Sequence, residues 1–454
     1  MKKQSFYKNF FSIYIALVLQ NVITLSVNLA DNIMLGAYSE TSLAGVAAVN
    51  QIQFIYQQIL GALGDGLVIF GSQYWGRMQI KPMKKITAAA MHAALITGIL
   101  LFVATTFFPY QAMRIFTTDV PIVEEGVRYL SIIRFTYLFF AITQILLAAL
   151  RMVETVKIAF ALSILTFFVN CGINSVLIFG RFGAPALGVR GAAIGTLAAR
   201  IIECIILIGF MVFKEKRLRL SIRDLCQFDR ILSGDYFKVT IPIVVVQGLW
   251  GLNTALQTVI LGHMTAAAIA ANSAASTLFM MVKSIVYGAS STASIIIGKA
   301  IGEGDRKRVM RYSGRLQKMF LAIGISGGIL LYFLRIPVLS LYDLQPVTKE
   351  MANTFLMILS VVFVGMSYQM PTNNGIIRGG GSAMYVVKMD LISIWLIVIP
   401  LSFFMAFVAD APPAVVVCCL NADQIFKCVP AYLMSHYGKW IKKLTRDDMT
   451  DEKN

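Results

Sequence analysis

The side chains best suited to chemistry form a polar stripe in the first long apolar segment. The stripe holds one acid, Asp31, together with Asn21, Thr24, Asn28 and Asn32. In a helix these residues fall within an arc about 100° wide. Carboxylate and amide oxygens are the ligands that a hard cation such as Na⁺ takes, and a carboxylate removed from water can also hold a proton. The stripe therefore predicts a cation or proton site with Asp31 as its charged group.

A second polar stripe lies between residues 157 and 179. Its members share one face of the predicted helix and are Ser163, Thr166, Asn170 and Asn174. Polar side chains that face lipid are costly, so both stripes are expected to face inward. Facing each other, they would form one polar cavity. We predict that an ion binds there at Asp31, Asn28, Asn170 and Asn174.

Several other polar or charged residues interrupt apolar segments. Gln247, Trp250, Thr254 and Gln257 share one face of a predicted helix, where ordinary interhelix hydrogen bonding is the alternative to a binding role. Arg200 and Glu203, three residues apart, and Asp423 and Lys427, four apart, have the spacing of local ion pairs. Asp65, Lys283 and Asp390 are further candidates for either structural pairing or a transport role.

The composition places these residues in a membrane protein. Of the 454 residues 57% are hydrophobic and 14% are charged, whereas a soluble domain carries roughly 25% charged residues. Apolar runs of membrane-spanning length, about 20 residues, cover 10–36, 43–75, 86–108, 124–151, 157–179, 187–213, 236–262, 267–300, 315–336, 346–376, 383–408 and 413–435. We therefore predict an all-α membrane protein of about 12 transmembrane helices.

The basic residues give the orientation. Of the 40 Lys and Arg residues, 30 fall in alternate connections that include both termini, and only six fall in the opposite loops. Lysine and arginine accumulate on the cytoplasmic side, so both termini are predicted to be cytoplasmic. The same clustering accounts for the net charge of +17 without a nucleic-acid partner.

The two halves of the chain show signs of an internal repeat. A shift of 226 or 227 residues places Gly36 on Gly262, Ala44 on Ala270, Gly76 on Gly302 and Arg151 on Arg378. We predict two six-helix lobes, 1–222 and 223–454, related by a pseudo-two-fold axis along the membrane normal. Parallel repeats of this kind occur in secondary transporters.

Several short motifs carry a family resemblance. The chain reads ADNIMLG at 30–36, GSQYWG at 71–76, NCGINSVLIFG at 170–180 and GKAIG at 298–302. In order and spacing these segments resemble the multidrug and toxic compound extrusion (MATE) family over nearly the whole chain. The resemblance implies two six-helix bundles that form a cleft. It also implies export of small organic, often cationic compounds such as drugs, driven by inward flow of sodium ions or protons.

The resemblance assigns roles to particular residues. Asp31 matches an acidic residue of that family, and Asn170 matches a polar cavity residue. Many members carry Asp at the position of Asn174, so no second carboxylate is expected at this site. The residues predicted to line the substrate cavity are Asn32, Thr24, Gln247, Trp250, Gln257 and Asp390.

These observations predict a multi-pass transporter of the inner (plasma) membrane, monomeric and without a cofactor. The alternative is a lipid-linked sugar or lipid flippase of a related superfamily, whose cleft would carry several arginines. An enzyme is not expected, because the three histidines are scattered and the sequence contains no HExxH, GxSxG or Walker motif.

The predicted orientation can be tested by cysteine labelling. In a background that lacks the six native cysteines, Lys442→Cys should react only from the cytoplasmic side, because Lys442 belongs to a basic cluster. Reaction with a membrane-impermeant maleimide added outside intact cells would contradict the twelve-span topology.

Overall fold

The computed structural model describes residues 6–340 and 345–446. The α-helices are α1 Phe6–Tyr38, α2 Glu40–Gly76, α3 Ile80–Phe107, α4 Pro109–Arg114, α5 Val120–Ile133, α6 Thr136–Met152, α7 Lys157–Phe179, α8 Val189–Phe213, α9 Ile222–Leu225, α10 Arg230–Met264, α11 Ala266–Gly302, α12 Arg306–Leu339, α13 Pro346–Met370, α14 Ala383–Asp390, α15 Ile399–Phe407, α16 Pro413–Leu420, α17 Asp423–Phe426 and α18 Cys428–Tyr437. A 3₁₀ turn covers Arg181–Gly183, and two π-helical segments cover Pro371–Ile377 (π1) and Leu391–Val398 (π2).

The helices have the length and composition of membrane spans. Within the described ranges eleven are long and apolar enough to cross, and the bent pair α5 and α6 brings the number to twelve. A helix satisfies its backbone hydrogen bonds internally, which hydrocarbon requires of any spanning segment. The predicted all-α membrane fold is confirmed. Lys2, Lys3 and Lys453, which contributed to the predicted orientation, lie outside the described residues.

Four predicted spans are less regular than expected. The span predicted at 124–151 is broken between α5 and α6, which meet at 56°, and the Thr136 hydroxyl donates to the Ile133 carbonyl at the break. The span predicted at 413–435 consists of α16, α17 and α18. Pro371 is the first residue of π1, and Pro400 lies just after the end of π2. Proline has no backbone N–H to donate within a helix, and the hydrogen-bond register of both helices shifts next to it.

The chain divides into two compact units. Among the described residues, unit 1 comprises 6–18, 72–77, 241–340 and 345–446, and unit 2 comprises 19–71 and 78–240. The division into lobes at residue 222 stays a prediction. In unit 1 the repeat-related residues Gly76 and Gly302 face each other, and a Cβ on Gly302 would lie 3.0 Å from the Gly76 Cα. This approach is consistent with the predicted repeat and requires both residues to be small.

The segment after α18 folds back onto unit 1. The Trp440 side chain is 1% exposed, and its Nε1 donates to the Ser435 carbonyl. The Gln73 amide accepts from the Leu444 N–H at 2.8 Å and donates to the Lys442 carbonyl at 3.1 Å. The end of α2 is therefore tied to the C-terminal segment by a side chain that satisfies two backbone groups.

In unit 2, two ion pairs tie the start of α3 to the connection between α8 and α10. Lys84 Nζ lies 2.8 Å from Asp224 Oδ2, and Lys85 Nζ lies 3.1 Å from Asp229 Oδ2. Burial raises the pKa of Asp224, but hydrogen bonds from Lys84 and Ser221 outweigh it, so its pKa lies below the ordinary value. The Leu232 N–H chiefly lowers the pKa of Asp229, and Lys85 adds to this.

These lowered pKa values give the two pairs a defined pH dependence. The pairs stabilise the fold above the unfolded-state pKa of about 3.9 and lose that contribution as pH falls through the lower folded-state values. We expect Asp224→Asn/Asp229→Asn to lower the free energy of unfolding by up to about 1 kcal/mol per pair at neutral pH.

The measurement is thermal unfolding in detergent at neutral and acidic pH. The difference between wild type and the double variant should shrink in acid. Glu124→Gln, which alters an exposed acid on α5, should match wild type throughout. A difference that grows on acidification would contradict this assignment.

Candidate functional site

A chain of hydrogen bonds links α1, α7 and α8 within unit 2. The Asn174 Nδ2 donates to Asp31 Oδ1 at 2.7 Å and lies 3.3 Å from Asn170 Oδ1. The Asn170 Nδ2 in turn donates to Thr196 Oγ1 at 3.2 Å. The structure thus brings together three of the four residues predicted to couple to an ion, and it adds Thr196.

The amide end of this chain is deeply buried. Asn170 is 2% exposed and Asn174 is fully buried. The Asn174 Oδ1 has no hydrogen-bond partner among the described residues. A buried carbonyl oxygen beside a carboxylate suits a cation, because unsatisfied acceptors cost free energy in a low-dielectric interior.

A glycine on α8 makes room for the Asn174 amide. A Cβ at Gly195 would lie 1.9 Å from Asn174 Oδ1 and 3.0 Å from its Cγ. Any larger residue at 195 must displace that side chain. The position of the hydrogen bond to Asp31 therefore depends on close packing between α7 and α8.

Asp31 also lines a cavity of unit 2. The cavity combines amide, hydroxyl and aromatic side chains, and its lining is Val27, Asn28, Asp31, Val46, Asn50, Gln53, Tyr56, Gln57, Tyr129, Thr136, Tyr137, Phe140, Thr196 and Arg200. Concave sites with aromatic walls and a few polar groups are typical of small-molecule binding. Asn28, the fourth predicted coupling residue, lies on this wall.

The charges of the cavity wall are nearly balanced. Arg200 pairs with Glu203 at 2.7 Å, as their spacing predicted. The Arg200 guanidinium also lies 4.9 Å from the Phe140 ring centroid. The charged residues of the lining are Asp31 and Arg200. When Glu203, the partner of Arg200, is counted with them, Asp31 leaves one negative charge without a paired base.

The other predicted cavity residues lie elsewhere. Thr24 and Asn32 are exposed on α1, and the Thr24 hydroxyl donates to the Gln20 carbonyl of its own helix. The remaining four belong to unit 1 and are Gln247, Trp250, Gln257 and Asp390. None of the six is among the residues lining the cavity around Asp31, and their substrate-binding role stays a prediction.

Contacts are defined for several charged candidates. In unit 1 the Lys283 ammonium lies 5.0 Å from the Trp250 ring centroid. Lys427 Nζ lies 2.9 Å from Asp423 Oδ2, as the spacing suggested, and 2.8 Å from Asp390 Oδ1. In unit 2 the Asp65 carboxylate lies 4.0 Å from the Arg151 guanidinium.

Sequence reasoning missed most of the aromatic wall and one polar stripe. Asn50, Gln53 and Gln57 line the cavity from α2, and their spacing of three and four residues is a helical stripe that the sequence displays. Tyr129 and Tyr137 lie on either side of the break between α5 and α6. That break changes the direction of the helix between the two tyrosines, so no single helical periodicity could predict that both line the cavity.

Comparisons with known proteins match nearly the whole chain. A protein-family model described as MatE matches residues 16–176 and 242–404. The "Probable multidrug resistance protein NorM" of Thermotoga maritima is 24% identical over 431 residues, which cover 94% of this chain and 92% of that protein. The "Uncharacterized transporter YisQ" of Bacillus subtilis is 23% identical over 416 residues, with 91% and 90% covered.

Solved structures share the fold. One described as the outward-facing conformation of a multidrug resistance MATE family transporter of the MOP superfamily has a TM-score of 0.86 at 16% identity and covers 94% of both chains. A MOP superfamily transporter from Pyrococcus furiosus, described as having a binding pocket of reverse polarity, gives 0.86 at 15% identity with the same coverage.

The packing of α8 against Asn174 yields a matched pair of variants. Gly195→Ala should lower stability by about 1–3 kcal/mol, because the added methyl overpacks the site and displaces the amide. Gly209→Ala lies on the same helix with nothing within 4 Å of the added Cβ, so it should be neutral or slightly stabilising. Thermal unfolding of the purified proteins measures both, and equal melting temperatures would refute the packing argument.

Proposed function

Because the chain belongs to the multidrug and toxic compound extrusion family of membrane transporters, we propose that it exports small organic, often cationic compounds by antiport with sodium ions or protons. Export proceeds by alternating access, in which the substrate site opens to one side of the membrane at a time. Asp31 is the coupling group. The protein acts in the plasma membrane as a monomer with both termini cytoplasmic.

The observation that carries this proposal is the position of Asp31. The carboxylate ends a buried amide chain on one side and lines a cavity on the other. An ion bound at Asp31 therefore uses the same negative charge that would attract a cationic compound in the cavity. Competition for one charge couples the two ligands.

The Asn174 amide provides a way to distinguish the two states of Asp31. An ionised carboxylate accepts from the Asn174 Nδ2. When Asp31 carries a proton or faces Na⁺, the amide oxygen becomes the better partner, and an amide can present either group. A ligand shifts an equilibrium only by its differential affinity for two states, and this exchange of partners supplies such a difference.

The cavity wall fits an aromatic or lipophilic cation. Tyr56, Tyr129, Tyr137 and Phe140 line the same cavity as Asp31, and the faces of aromatic rings attract cations. Gln53 and Gln57 add hydrogen-bonding groups. A lipid-linked sugar carries phosphates and would need several unpaired basic groups, whereas the arginine of this cavity is paired with Glu203.

Replacing the coupling acid tests the proposal. Asp31→Asn keeps the shape of the side chain and removes its charge, so the variant should fold and insert. Ion-driven efflux of an organic cation should fall about tenfold or more, within the range of typical coupling free energies. The measurement is efflux of ethidium from proteoliposomes under separately imposed Na⁺ and H⁺ gradients.

Two controls make the result specific. Glu124→Gln removes an exposed acid of the same unit and should retain wild-type efflux. Monodisperse elution from size-exclusion chromatography establishes that Asp31→Asn is folded. If a folded Asp31→Asn variant shows wild-type efflux under both gradients, Asp31 is not the coupling group.

A further inference from the structure

A second buried polar chain lies entirely within unit 1. The Asn373 Nδ2 donates to Gln369 Oε1 at 3.1 Å, and the Gln369 Nε2 donates to Gln424 Oε1 at 2.7 Å. The Gln424 Nε2 then donates to Asp423 Oδ2 at 2.7 Å. The chain crosses from π1 through the end of α13 to α17. It continues into a cluster of three charged side chains.

That cluster contains two acids and one base. Lys427 Nζ lies 2.9 Å from Asp423 Oδ2 and 2.8 Å from Asp390 Oδ1. The exposed fractions of the side chains are 3% for Lys427, 5% for Asp423 and 22% for Asp390. With all three groups ionised, one negative charge is left unbalanced inside membrane-spanning helices, where an uncompensated charge is expensive.

The surrounding backbone also departs from regular helix. Asn373 lies within π1, and π2 begins directly after Asp390. Such π segments are frequent at functional sites. The Asn373 side chain is 3% exposed, and its Oδ1 has no hydrogen-bond partner among the described residues. The series of hydrogen-bonded side chains therefore has an unsatisfied acceptor, Asn373 Oδ1, at one end and the unbalanced charge of the Asp423 cluster at the other.

Among the described residues, Lys427 is the base that forms ion pairs with Asp390 and Asp423. Other titratable groups carried by the helices that pack against the cluster are Tyr368, Arg378, Tyr385, Lys388, Cys428, Tyr432 and His436. The Tyr368 hydroxyl donates to Gln317 Oε1, and the Tyr385 hydroxyl donates to the Pro430 carbonyl. The acid on α13 is Glu350, which lies near the start of that helix, whereas Gln369 of the hydrogen-bonded series lies at its end.

We propose that the Asp390–Lys427–Asp423 cluster is a second ion-coupling site, which takes up one proton on Asp390 and releases it during each transport cycle. This inference rests on the proposed antiport and adds a carrier that is separate from Asp31. The proton bonds to the Asp390 carboxylate when water reaches it from one side and leaves to water on the other. The cluster alternates between neutral and singly negative.

The geometry favours a proton over a sodium ion. The Lys427 ammonium already occupies the position between the two carboxylates, where a metal cation would have to sit, and like charges repel. The Asp423 Oδ2 already accepts from both Lys427 and Gln424. Asp390 is the more exposed of the two acids, and the exchanged proton is assigned to it.

The test measures the ethidium concentration gradient across the membrane at which net ethidium flux stops. In sodium-free proteoliposomes with the membrane potential clamped, each coupled proton multiplies the ethidium gradient that can be sustained by about tenfold per pH unit. Asp390→Asn should lower that gradient by about tenfold per pH unit while efflux continues. Asp423→Asn should do the same, because either change makes the cluster neutral.

Asp410→Asn is the matched control. Asp410 is exposed in the connection after α15 and has φ of 48°, a conformation that Asn tolerates. This variant should sustain the wild-type gradient. A structural defect slows flux without changing the balance point. Unchanged gradients in Asp390→Asn and Asp423→Asn would therefore overturn the proposal.

Infrared spectroscopy provides a second test that can be applied to variants that no longer transport ethidium. In pH-difference spectra of the wild type, the absorption of protonated carboxyl groups should change with pH, and one component of it should be lost from Asp390→Asn but kept in Asp31→Asn and Asp410→Asn. Retention of the whole absorption change in Asp390→Asn would also overturn the second site. If wild-type efflux responds to Na⁺ alone, the second site is refuted while the proposed antiport stands.

Discussion

The constraint on which this structure depends is the absence of water in the hydrocarbon core of the membrane. Every polar group placed there must find its partner inside the protein. Many polar side chains of the spans are accordingly joined to one another or to helix carbonyls, as Thr166 is to the Leu162 carbonyl. Against this background a buried charge without a counter-charge is a feature that needs a function.

The two units meet this constraint in similar ways. In unit 2 a chain of amides leads from Thr196 to Asp31, and in unit 1 another leads from Asn373 to Asp423. Each chain includes an asparagine whose Oδ1 is buried and unsatisfied among the described residues. Each also ends at one negative charge in excess. Each amide is neutral and can donate or accept, so a change in the charge of the carboxylate can reverse the donor and acceptor roles along the whole series of amides.

The sequence predicted those features that depend on local spacing. Apolar segment length identified the spans, and helical periodicity placed Asp31 with Asn170 and Asn174. The three- and four-residue spacings identified Arg200 with Glu203 and Asp423 with Lys427, and both pairs are present. Each of these inferences needs only the geometry of one helix or the cost of placing polar groups in lipid.

Contacts between distant segments could not be predicted in this way. Asp390 and Lys427 are 37 residues apart, and their approach depends on how π2 and α17 pack. The break between α5 and α6 contains no proline or glycine in Arg134 and Phe135, so no local signal marks it. Likewise, the role of Gly195 becomes visible only when the Asn174 side chain is seen to occupy the space a Cβ would take.

The amide at position 174 has a consequence for the ion balance of unit 2. Two carboxylates at hydrogen-bond distance cannot both remain ionised, so one of them would hold a proton throughout much of the physiological range. With Asn174 in that place, Asp31 faces a neutral partner and carries the only charge of the pair. One monovalent cation then suffices to neutralise this site. A transporter that moves more than one ion per cycle must therefore place the additional charge elsewhere, and the cluster around Lys427 is a buried group with that charge.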